Sequence, residues 1–195
     1  MDWQSIKGKK IIFFGMIPIV VLLNYLTGVL STYLGIPFFL DTWATSLGVM
    51  VAGLGVGLAG GVIYNIVMAL TVWGFPAWIW AFSNIWIAII TFILWKRNLI
   101  DIRRPGVVLL CGIIIGLTNS VVTIIIKFFA FGGLPTYAGT EPTYAAFLAL
   151  TGSTIFATIG EHVTTELADK TVSIFIAAIV LSSLPKKFIL TKKRD

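Results

Sequence analysis

Five ionisable residues crowd into the stretch from 161 to 170: Glu161, His162, Glu166, Asp169 and Lys170. A histidine beside a carboxylate could serve as a base or as a metal ligand. His162 is the only histidine and Cys111 the only cysteine, however, and scattered carboxylates do not complete a metal-ligand set. Glu166 and Lys170 are spaced for an i,i+4 ion pair on one helix face, a structural use of the pair. No Ser/His/Asp arrangement, glycine-rich phosphate loop or pair of haem ligands accompanies them. The chemistry on offer is binding, and neither an enzyme nor a cofactor-dependent protein is expected.

Amides and hydroxyls follow helical spacing elsewhere. Asn84 lies four residues after Trp80, and Asn119, Thr123 and Lys127 repeat every fourth residue, so each set shares one helix face. Polar groups at membrane depth are costly and mark functional sites by default. Interhelical hydrogen bonding by Asn119 and Thr123, and snorkelling by Lys127, are the structural alternatives. The candidate ligand-binding residues are Trp80, Asn84, Asn119, Thr123, Lys127, Tyr144, Glu161 and His162. The loop Phe131–Pro142, with Gly132, Gly133, Pro135, Gly139 and Pro142, is expected to close over them. Asp41 is expected to cap the helix that follows it.

The elements that must carry these residues are membrane helices. The chain of 195 residues is 58% apolar and 11% charged, and Asp41 is the only charged side chain between Lys10 and Lys96. A water-facing domain carries charge on about a quarter of its residues. Apolar stretches occur at Ile11–Tyr33, Phe39–Leu54, Val56–Trp73, Trp78–Trp95, Gly106–Phe129, Tyr144–Gly160 and Thr171–Leu184. A single domain over residues 1–195 is expected, without a cleavable signal. Cys111, in an apolar run, reads as a small hydrophobe.

Charge placement then sets the topology. The net charge of +6 resides mainly in Lys7, Lys9 and Lys10, in Lys96 to Arg104, and in Lys186 to Arg194. Each group flanks an apolar stretch, as the positive-inside rule describes, which argues against a nucleic-acid surface and for anchoring at a lipid bilayer. Both termini and the 96–104 loop are therefore expected in the cytoplasm, which requires an even number of crossings. Tyr144–Gly160, diluted by Thr151, Gly152, Ser153, Thr154 and Thr158, is the stretch left out, as a re-entrant or capping helix. The expectation is an all-α polytopic membrane protein with six transmembrane helices plus one such helix. Gly53-x-x-x-Gly57-x-x-x-Gly61 suits close helix packing, Pro18 is expected to kink the first helix, and Trp73, Trp78, Trp80 and Trp95 are expected at the membrane interfaces.

The segment Leu34-Gly35-Ile36-Pro37-Phe38-Phe39-Leu40-Asp41-Thr42, with the glycine-rich helices and Asn65 behind it, resembles the S components of energy-coupling factor (ECF) vitamin transporters. Glu166-Leu167-Ala168-Asp169-Lys170-Thr171, closing on Leu184-Pro185-Lys186-Lys187, is similar to their last span. The resemblance covers most of the chain. It implies a substrate-binding subunit in the cell membrane that captures a vitamin or related small organic solute from outside. Its implied partners are a membrane coupling subunit and two ATPase subunits. The family's Ala-x-x-x-Ala docking pattern is absent from the first helix, where Gly28-x-x-x-Thr32 is the nearest substitute. Similar membrane modules also serve as sensor parts of histidine kinases, the alternative function, and such a sensor is expected to continue into a cytosolic signalling domain.

Overall fold

A computed structural model describes residues 3–191 of the chain. Lys192, Lys193 and Arg194, counted above among the cytosolic anchors, lie outside the described residues, as do the side chains of Lys7 and Lys9. Seven α-helices make up the fold: α1 (Trp3–Leu34), α2 (Trp43–Ala52), α3 (Leu54–Met68), α4 (Ala81–Lys96), α5 (Pro105–Phe131), α6 (Glu141–Thr151) and α7 (Thr154–Ser183). A π-turn, Ala69–Trp73, prolongs α3, and a 3-10 turn, Phe75–Trp80, leads into α4. No strand occurs among the described residues.

Four stretches are long and apolar enough to cross a membrane: Lys10–Leu34, Leu54–Trp73, Phe75–Lys96 and Pro105–Phe131. Their outward faces carry exposed Leu22, Leu26, Leu110, Val121 and Ile125, side chains that suit a lipid environment. Two expected stretches take other forms. Phe39–Leu54 contains a helix of only 10 residues, about 15 Å long, whose residues are all buried. It is cut off by Gly53, whose φ of +103° turns the chain straight into α3. Tyr144–Gly160 is broken at Gly152, in the left-handed region, into α6 and the first turns of α7. The last helix accordingly starts at Thr154, more than four turns before the apolar stretch that opens at Thr171. Its 30 residues reach about 45 Å, but it carries five ionisable residues between positions 161 and 170.

The bundle divides along its length into an apolar half and a polar half, and the division is visible in register. On α5 the buried residues run Val108, Cys111 and Ile115, then Asn119, Thr123 and Lys127. On α7 they run Glu161, His162, Glu166, Asp169 and Lys170, then Ile174, Ala177 and Leu181. On α4, Ser83 and Asn84 precede Ile87 and Leu94. The helices alternate in direction, so all three polar segments fall at one end. At the apolar end the Leu190 amide donates to the Val51 carbonyl at 2.7 Å, and the Trp95 indole donates to the Thr191 hydroxyl at 2.9 Å.

The most extensive helix pairing, between α5 and α7, rests on two glycines. A methyl group on Gly112 would lie 2.6 Å from Thr171 Cα, and one on Gly116 would lie 2.8 Å from the Glu166 carbonyl oxygen. Backbones this close need residues without Cβ. In the glycine repeat of α3, Gly61 plays the same part against Asn84 of α4.

Candidate functional site

Two polar stripes meet where α5 crosses α7. His162, Glu166 and Lys170 are spaced by four along α7, and Asn119, Thr123 and Lys127 are spaced by four along α5, so each set forms a line on one face. The Asn119 amide nitrogen donates to Glu166 Oε2 at 2.7 Å and to the Ser83 hydroxyl of α4 at 2.9 Å. Lys170, 3% exposed, is ringed by carboxylates: Asp169 at 2.5 Å, Glu166 at 3.3 Å and Asp41 at 4.0 Å. Charges so far from water persist only when paired and hydrogen-bonded, which this cluster largely provides.

The segment before α2 is bound to this cluster. The Leu40 amide donates to Asp169 Oδ1 at 2.8 Å, and its carbonyl accepts from the Thr27 hydroxyl at 2.5 Å. Leu40 has a φ of +49°, a left-handed conformation unfavourable for a leucine. Such strain survives where surrounding contacts impose it, and here it sets Phe39 and Asp41 on either side of a fixed backbone. Asp41 does not cap α2. The cap position is Thr42, without a side-chain cap bond, while Asp41 turns into the bundle and accepts from the Tyr64 hydroxyl at 3.2 Å. The buried Lys170 and Tyr64 outcompete the helix end for its carboxylate.

Above the cluster the helices border a partly open cavity of about 300 Å³. One side is aromatic, formed by Phe39, Trp73, Trp80, Phe131 and Tyr137. Trp80 stacks on Phe131 with ring centroids 5.6 Å apart and planes 6° from parallel. The polar side is formed by Ser83, Thr123, Lys127, His162, Glu166 and Lys170. A mostly apolar pocket with a few convergent polar groups is the usual form of a small-molecule site. The loop after α5 covers it. The Tyr137 hydroxyl bonds to the carbonyls of Ser31 and Ile36 at 2.7 and 3.0 Å, and the Thr158 hydroxyl bonds to the Gly133 carbonyl at 2.6 Å.

Polar groups without partners mark the interior. Both ring nitrogens of His162 and Oε2 of Glu161 are buried and lack hydrogen-bond partners. Lys127 reaches Glu161 at only 3.7 Å and the Thr136 hydroxyl at 3.3 Å. Buried unsatisfied groups are few in native proteins and cost free energy unless something completes them. No group of three or more His, Cys, Asp or Glu side chains placed to hold a metal ion occurs among the described residues.

The structure distributes the sequence-predicted residues unevenly. Trp80, Thr123, Lys127 and His162 line the cavity. Glu161 stands behind them, 3.6 Å from His162. Asn119 lies beneath, holding Glu166, and Asn84 lies deeper, where its side-chain oxygen accepts from the Thr45 hydroxyl at 2.8 Å. Tyr144 is buried on α6 and does not line the cavity. Sequence reasoning left out Glu166 and Lys170, read as a plain ion pair, and Phe39, Trp73 and Ser83, while Tyr137 lies in the loop expected to close over the site. The shared spacing of His162, Glu166 and Lys170 was the available signal for the first two. Trp73 faces the cavity, and its indole donates to Thr32 at 3.2 Å.

No protein-family model matches the chain, and searches of curated proteins and of solved structures returned no match.

Proposed function

We propose that this chain is the substrate-binding membrane subunit of an ECF-type importer and that it captures a vitamin-like small organic solute from outside the cell. The observation that carries the reading is the cavity of about 300 Å³ at the polar end of the bundle, with the unpartnered His162 on its wall. The volume sits at the lower bound of ligand pockets, roughly 300–1,000 Å³, and suits a compact ring-bearing molecule.

In this reading the chain crosses the membrane six times with both termini in the cytoplasm. α1, α3 with its π-turn, α4, α5 and α7 provide five crossings. The sixth is α2 with its extended lead-in from Ile36 to Thr42. α6 caps the outer end. The basic residues Lys96, Arg97, Arg103 and Arg104 lie at the apolar end of the bundle, which puts the cavity on the far side from the cytoplasm. Coupling to a membrane subunit and two ATPase subunits follows from the resemblance of the 34–42 and 166–171 segments to S components. Gly28 and Thr32 are poor candidates for the docking surface, because they pack against Tyr64 and Trp73 within the bundle.

The decisive experiment is to purify the protein in mild detergent, denature it, and identify the released small molecules by mass spectrometry. A solute present at close to one per protein, and lost in a Trp80→Ala, His162→Ala double variant that remains folded, is the expected result. Absence of any retained or rebinding solute would remove the reading.

A further inference from the structure

The buried ionisable side chains do not balance. Among the described residues the buried acids are Asp41, Glu161, Glu166 and Asp169, and the buried bases are Lys127 and Lys170, with His162 beside them. With all four carboxylates ionised, two ammonium groups and a neutral His162 leave an excess of two negative charges. All of them gather at the cavity end. Glu161 contacts Lys127, and the other three surround Lys170. An unbalanced charge in a low-dielectric interior is costly, and it is relieved either by protonation of a carboxylate or by a cation bound in the cavity.

The cavity wall points to the cation. Five aromatic rings, Phe39, Trp73, Trp80, Phe131 and Tyr137, border the space in which Glu166 appears. Aromatic faces attract cations through their quadrupole, and the protein already uses one so, with Lys170 Nζ 5.9 Å from the Phe39 centroid. The open hydrogen-bonding capacity is mostly for acceptance. One ring nitrogen of a neutral His162 accepts, while Glu161 Oε2 and Asp41 Oδ1, also acceptors without a donor, are not part of the cavity lining. The Asn119 and Lys170 contacts of Glu166 both fall on Oε2, which leaves Oε1 for a ligand.

We propose that the solute is an organic cation, a protonated amine or a positively charged nitrogen ring. Its charge is held by Glu166, the carboxylate that borders the cavity, and its ring or alkyl body lies against Trp80 and the other aromatics. The proposal rests on the solute-binding reading above and adds the charge of the ligand. Lys127 and Lys170 do not oppose it, because each is already paired with a carboxylate of its own.

Three probes that share one pyridine ring separate the charge states: 1-methylnicotinamide, methylated on the ring nitrogen, as the cation, nicotinamide as the neutral form and nicotinate as the anion. Solute-stripped protein is titrated with each, and binding is read from thermal stabilisation and calorimetry. The cation is expected to bind roughly 2- to 30-fold more tightly than nicotinamide, the span of a cation–π contact of about 0.5–2 kcal/mol. Glu166→Gln should reduce that preference, and Glu161→Gln should reduce it should Glu166→Gln fail to fold. Equal or tighter binding of nicotinamide or nicotinate would overturn the proposal. So would a neutral or anionic molecule as the co-purifying solute, and that result leaves the solute-binding reading intact. With a retained solute, its own charge decides even where none of the probes binds. A protein that retains no solute and binds none of the three probes loses both.

Discussion

Asn119 and Glu166, on different helices and 47 residues apart, are joined by a 2.7 Å hydrogen bond from amide nitrogen to carboxylate oxygen, with both side chains buried. The bond fixes the rotamer of the one carboxylate that borders the cavity and ties it through Ser83 to α4. An amide can do this without adding charge to a region already rich in it. Asn119 therefore acts on the ligand through Glu166.

Replacing Asn119 with alanine should lower stability by about 1–3 kcal/mol, the cost of leaving a buried carboxylate oxygen short of a donor. Ligand affinity should also fall, because Glu166 is no longer held. Asn119→Asp should be worse than alanine, since it places a fifth carboxylate in the cluster. Thermal unfolding in detergent together with ligand titration on the same preparations checks both effects. An unchanged melting temperature in Asn119→Ala would refute the account.

Gly116→Ala tests the contact that brings α5 onto α7. Its new methyl would sit 2.8 Å from the Glu166 carbonyl oxygen and 2.9 Å from Leu167 Cα, backbone atoms that cannot turn aside. A loss of about 1–3 kcal/mol is expected, typical of overpacking. Gly106→Ala is the control: nothing lies within 4 Å of its new methyl, and the helix should be unchanged or slightly stabilised.

Lys127 and Glu161 form a buried pair at 3.7 Å, with neither side chain more than 2% exposed. Removing one partner strands the other charge, so Lys127→Met should cost about 3–5 kcal/mol. The double variant Lys127→Met, Glu161→Leu should recover most of that stability while binding of the solute stays impaired. Recovery of stability and binding together would show the pair to be structural only.

Tyr137 holds the covering loop to the end of α1. Tyr137→Phe removes its bonds to Ser31 and Ile36, and release of a bound solute should quicken by roughly 2- to 13-fold per bond lost. Equilibrium stability should change little by comparison. Dissociation of the retained solute, followed by dilution or competition, measures it; an unaltered rate would mean that the loop does not gate the cavity.

The topology is open to labelling from outside the cell. In a Cys111→Ser background, Glu141→Cys on exposed α6 should react with an impermeant thiol reagent in intact cells. Asn98→Cys, in the exposed loop before α5, should react only after permeabilisation. The opposite pattern would invert the orientation.

The sequence by itself determined the all-helical class, the apolar helices and the polar stripe of Asn119, Thr123 and Lys127. These are local properties: apolar content over some 20 residues and spacing by four are readable without knowing what a helix packs against. It did not determine where helices begin when a glycine takes a left-handed conformation, so α2 and α7 emerged shorter and longer than their apolar stretches suggest. Nor did it separate residues that line the cavity from those that hold the lining. Asn84 and Asn119 read alike with Thr123 and Lys127 in the chain, yet they end beneath the cavity floor. Glu166, read as half of an i,i+4 pair, reaches its wall. That distinction depends on how α5 sits against α7, which Gly112 and Gly116 set by close backbone approach. The same packing brings Asp41, 125 positions before Glu166, to the same lysine, and only there does the excess of negative charge exist.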